Sequence, residues 1–154
     1  MSELERIGDQ LKRAFYGNAW HGPSLREVLD GVNTKMAATR LTSGHSIREI
    51  VLHITAWTEI ASQRLAEDPI PDATDEEDWP LIKEVRDEDW KRDIDKCFAA
   101  EERLQELLRS FPEVRLDTQV PGRDHSFYVM LQGVVQHCLY HAGQIAVLKK
   151  AMAA

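Results

Sequence analysis

The chain has 154 residues, 43% of them hydrophobic and 29% charged, with a formal net charge of −7. That length suits one domain with a real core, and an acidic balance without a stripe of Lys and Arg argues against a nucleic-acid partner, whose phosphates need clustered cations. No apolar run approaches the roughly 20 residues of a membrane-spanning helix, and the opening Met1-Ser-Glu-Leu-Glu-Arg6 lacks a signal-peptide core, so no membrane association and a cytoplasmic location are expected.

Apolar residues recur with helical period along the chain, and no segment alternates as a strand. Leu4, Ile7, Leu11 and Phe15 form the first stripe, which breaks at Gly17-Asn-Ala-Trp-His-Gly-Pro23. Helical pattern resumes with Leu25, Val28, Leu29 and Val32 behind a Ser24-x-x-Glu27 capping box, with Gly31 as an early stop and a short turn near Thr34 to Ala38.

A second capping box, Ser46-Ile-Arg-Glu49, opens a helix that runs to about Glu67 and stops at Asp68-Pro69. Ile47, Ile50, Ile54, Trp57, Ala61 and Leu65 make its buried face, and His53 lies on the flank of that face. A long connection follows, in which Asp72-Ala-Thr-Asp-Glu-Glu-Asp78 reads as a solvated acidic loop. A third helix covers Asp87 to Ser110, with Trp90, Ile94, Cys97, Leu104 and Leu108 aligned and Pro112 beyond its end. The fourth begins after Pro121-Gly122, with Asp124 or Ser126 as N-cap, and reaches the C-terminus. Its stripe is Met130, Val134, His137, His141, Ile145 and Leu148. Leu131, Val135, Cys138 and Leu139 make the other faces apolar too, so the helix is either central or half of a dimer contact.

His137 and His141 stand one turn apart on one helical face, and His53 sits on the inner flank of a different helix. A buried neutral imidazole needs both a donor and an acceptor partner, which apolar neighbours do not supply. Three such rings converging in a bundle make a metal site with open positions for water or substrate, against the plainer reading of a buried hydrogen-bonded network. The two cysteines, Cys97 and Cys138, match no disulfide or zinc-finger spacing and read as packing.

The runs His45-Ser-Ile-Arg-Glu-Ile-Val-Leu-His53-Ile-Thr-Ala-Trp57 and His137-Cys-Leu-Tyr-His141-Ala-Gly-Gln144-Ile resemble the DinB-like superfamily of metalloenzymes, and Ala19-Trp-His-Gly-Pro-Ser-Leu25 resembles the first-helix region of one of its branches. The resemblance implies an all-α four-helix bundle with a long connection between the second and third helices. It also implies a divalent metal held by His53, His137 and His141, and frequent homodimers. All-nitrogen ligation suits zinc or nickel.

No residue declares itself as the catalytic group. Gln144 could bond a ligand or a metal-bound water. Glu101, on the apolar stripe of the third helix, could be a general base or a fourth ligand, or more plainly a salt-bridge partner of Arg64. His21 could face the site if the broken first helix opens onto it, whereas His45 and His125 read as loop residues. Trp57 reads as core, and the exposed-looking Trp20 and Trp79 support a homodimer. Because the superfamily that the chain resembles includes low-molecular-weight thiol transferases, the resemblance allows a metal-dependent transferase or isomerase using such a thiol on a small-molecule substrate, and this is preferred to a hydrolase. The alternative is a non-enzymatic, dimeric metal-binding or ligand-binding bundle involved in stress.

Overall fold

Each expected stripe becomes one wall of a helical bundle in the computed structural model, which describes residues 1–41, 43–66, 69–82 and 86–153. The first, α1 (Glu3–Tyr16), starts at Ser2, whose hydroxyl accepts the Glu5 N–H while the Glu5 carboxylate accepts the Ser2 N–H. It ends at Gly17, where φ of 142° turns the chain in a way a side chain would resist. Two short helices follow, α2 (Leu25–Leu29) behind the Ser24–Glu27 capping box and α3 (Thr34–Ala38) capped by Asn33.

The second bundle helix, α4 (Ile47–Ala66), opens as its sequence implies: Ser46 Oγ accepts the Glu49 N–H at 3.3 Å and Glu49 Oε2 accepts the Ser46 N–H at 2.7 Å. Its expected end at Glu67 and Asp68 lies outside the described residues. Within the connection, Thr74 and Glu77 cap a single turn, α5 (Asp75–Asp78), inside the run read as a solvated loop. The third bundle helix, α6 (Asp87–Ser110), stops just before Phe111-Pro112, and a 3₁₀ turn occupies Glu113–Arg115. Ser126, not Asp124, caps α7 (Phe127–Ala153), accepting the Val129 N–H at 3.3 Å. Among the described residues there is no strand, only an isolated bridge between Gln119 and Ser126.

The four long helices form the bundle: α6 packs on α1 and α4 from one side, and α7 packs on the same two helices from the other. Phe15, Leu11, Ile54, Leu104, Leu131 and Ile145 are fully buried between them. Polar anchors complement this core. Arg48 Nε meets Asp93 Oδ2 at 2.6 Å in a buried ion pair that joins α4 to α6, and Trp90 Nε1 donates to the Val32 carbonyl at 3.0 Å. Gly8 of α1 admits Gln105 of α6, whose amide donates to the Gly8 carbonyl at 2.8 Å, and a Cβ there would stand 2.9 Å from the Gln105 side-chain oxygen. The outer face of α7 remains apolar, with Val129, Tyr140 and Val147 exposed. No helix among the described residues is long and apolar enough to cross a membrane.

Candidate metal centre

α4 and α7 are neighbours, and their packing brings His53 to His137 and His141. One nitrogen from each ring lies within 4.8 Å of the other two, and His53 Nε2 is 2.8 Å from His137 Nε2. His53 and His141 are buried, and His137 is half-buried.

The outer nitrogens of two rings are held by acceptors. His53 Nδ1 lies 3.0 Å from the Asp78 carbonyl and 2.8 Å from Asp78 Oδ1, and His141 Nδ1 lies 2.6 Å from Gln144 Oε1. Carbonyl and carboxylate oxygens only accept, so these Nδ1 atoms carry the protons and both Nε2 lone pairs are left for the centre. The third ring then donates its Nε2–H to His53 when no ion lies between them. Burial pushes the His137 pKa down to about 3, and His141 and His53 beside it act in the same direction. Burial also lowers the His141 pKa, although the Gln144 bond opposes it. Both rings are therefore neutral near pH 7, the protonation state that binds a metal. Three converging imidazoles, two of them with their outer hydrogens held by acceptors, fit a divalent transition ion.

Two contributors escaped the sequence reading. Asp78 closes the acidic run, yet it turns inward and also accepts the Trp57 Nε1–H at 2.6 Å. Trp79 is partly buried and lies between two imidazoles, 3.5 Å from His45 and 4.0 Å from His53 by ring centroids, nearly parallel to both. This corrects the expectation of an exposed Trp79, whereas Trp20 is fully exposed. The Thr74-x-x-Glu77 capping box and the tryptophan ending an acidic run were the available signals. Trp57 is likewise not simple core: it is half-buried and lines a cavity.

The remaining candidates fall elsewhere or take supporting places. Gln144 meets His141 directly. Glu101 is 1% exposed and accepts the Gln105 amide at 2.7 Å, which also donates to Gly8 of α1, while the Tyr16 hydroxyl of α1 donates to the neighbouring Glu102 at 3.4 Å. It thus faces α1 rather than the histidines, and burial raises its carboxyl pKa. Its expected partner, Arg64, instead pairs with Asp72 at 2.5 Å. His21 is exposed in the turn before α2 and does not join the histidine group. Cys97 and Cys138 are buried, and burial raises both thiol pKa values.

A cavity of about 450 Å³ opens beside the centre, with His53, Trp57 and Arg64 on its α4 wall and Met130, Val134 and His137 on its α7 wall. A ligand in it would lie against two of the three imidazoles. Comparison with known families gives a match to the family model described as the DinB superfamily over residues 19–145, a span that includes all three histidines and Asp78. Comparison with curated proteins and with solved structures finds no match.

Proposed function

The chain belongs to the DinB superfamily, and we propose that it binds one divalent transition ion, zinc or nickel, through His53, His137 and His141 and uses it in catalysis. The observation that carries this reading is the pairing of the outer nitrogens: Asp78 fixes His53 and Gln144 fixes His141, so two lone pairs converge without a proton to remove. The adjoining cavity supports a catalytic rather than a purely structural role, because a reactant can reach the same centre. A bound ion would supply Lewis acidity, lowering the pKa of a thiol or water at its open side.

The protein's own groups favour the thiol. Hydrolysis has to carry a proton from the attacking water to the leaving group, and the two carboxylates considered for that task are committed: Asp78 to His53 and Trp57, Glu101 to Gln105. A thiolate needs no further base once formed. Trp57, Met130 and Val134 supply an apolar wall that would orient the electrophile and exclude water. The reaction is then transfer or isomerisation through a low-molecular-weight thiol on a small molecule.

Elemental analysis of protein purified without chelator or tag metal tests the centre. About one equivalent of a transition metal, lost in His53→Ala and His141→Ala, is expected. No uptake after reconstitution with Zn²⁺ or Ni²⁺ would overturn the reading. The chemistry is tested with a thiol and monochlorobimane, where a C–S bond forms, the C–Cl bond breaks and chloride leaves. Metal-dependent acceleration is expected, and a rate equal to that of the His53→Ala variant would leave a metal-binding bundle without this activity.

A further inference from the structure

Away from His53 and His137 the cavity is lined by Arg64 and His125, and Arg64 belongs to a group with positive charge in excess. Arg64 is 5% exposed and places Nη2 2.5 Å from Asp72 Oδ1. Arg123 places Nη1 2.8 Å from Asp72 Oδ2 and donates Nη2 to the Ile70 carbonyl at 3.1 Å. Two guanidinium groups thus share one carboxylate. The Nε–H groups of Arg64 and Arg123 are both buried without an acceptor. A buried donor left unpaired costs roughly 1–3 kcal/mol, and arginine does not relieve the cost by losing its proton.

Arg64 lies on the same face of α4 as His53, eleven residues on, which corresponds to about 16 Å of helix. Trp57, Met130 and Val134 line the stretch between. The cavity therefore has an imidazole end, an apolar middle and a cationic end. A ligand that satisfies all three has an apolar body and an anionic terminus. The surplus of one positive charge matches a singly charged carboxylate better than a phosphate dianion. Its planar acceptor geometry also suits the guanidinium edge.

We propose that this cavity takes an amphiphilic monocarboxylate, with Arg64 receiving the carboxylate and the apolar chain lying along Trp57, Met130 and Val134. The inference rests on the proposed function only in directing the other end of that ligand to the histidine centre. Arg64 is then a specificity-determining residue, and Asp72 is the internal carboxylate that competes with the ligand for it.

The test titrates decanoate, decanol and decyl phosphate by calorimetry into wild type, Arg64→Met and Asp72→Asn, metal-free and metal-loaded, with metal content measured on each sample and folding checked by thermal melt. Wild type should bind decanoate at least tenfold more tightly than decanol. Arg64→Met should lose that preference while keeping its decanol affinity and metal content. Asp72→Asn, which removes the competing carboxylate, should bind decanoate several-fold more tightly than wild type. Equal decanoate affinity in wild type and Arg64→Met, tighter binding of decyl phosphate than of decanoate, or weaker decanoate binding in Asp72→Asn would each overturn the assignment. An Arg64-dependent decanoate preference in protein that takes up no metal would uphold the anion site and overturn the metal centre alone.

Discussion

Asp78 meets His53 with two oxygens, its carbonyl at 3.0 Å and its Oδ1 at 2.8 Å from the same Nδ1, and Trp57 Nε1 donates to that same Oδ1 at 2.6 Å. The imidazole of α4 is thereby fixed by a residue from the connection between α4 and α6. Asp78→Ala should weaken metal binding about tenfold to a hundredfold, the usual cost of losing a ligand's outer partner, with little change in helix content. Competition against a chromophoric chelator measures it. An unchanged affinity would mean that the backbone carbonyl alone orients the ring.

Gln144 gives the same support to His141 across 2.6 Å. Replacing it by Leu leaves the Nδ1–H without an acceptor and should lower metal affinity by a similar factor, whereas Gln144→Glu keeps an acceptor and should retain it. Equal affinities in the Leu and Glu variants would show that the bond does not tune the ligand.

Glu101 should set an alkaline cost to stability. Burial raises its folded-state pKa above the unfolded value, so the folded chain holds this proton more tightly. Its contribution is complete below the unfolded carboxyl range, near pH 4, and is lost as pH rises through the folded value. Glu101→Gln, which keeps an acceptor for Gln105, should melt higher than wild type at pH 7, with the difference closing toward pH 4. Parallel melting curves across that range would contradict the assignment.

Glu49 should behave with the opposite sign. Burial works to raise its pKa, but the hydrogen bonds from Arg40 and Ser46 outweigh it and hold the carboxyl below its ordinary value. The stability it contributes is present above the unfolded value and lost as pH falls through the lower folded one. Wild type should therefore lose Tm below about pH 4 more steeply than Glu49→Gln. At neutral pH, Ser46→Ala should cost about 1 kcal/mol through the lost cap, a Tm decrease of roughly 3 °C in a chain of this size.

Much of this was legible because it is local. Ser24-x-x-Glu27 and Ser46-x-x-Glu49 start α2 and α4 where the capping pattern puts them, since the bonds that define a cap lie within four residues. His137 and His141 share a face because helical pitch fixes it. Their approach to His53 was a reasonable expectation, as each lies on or beside an apolar stripe that must be buried.

The sequence by itself determined the helices, their inward faces and the histidines those faces carry, because periodicity and capping are short-range properties. Only the tertiary structure decided the partners. It sent Arg64, together with Arg123, to Asp72 rather than to Glu101, and it placed Trp79 between His45 and His53. It also turned Asp78 out of an acidic run onto an imidazole. Which acceptor a buried donor reaches depends on how separate helices pack and where their connections return, and no spacing along the chain encodes that directly.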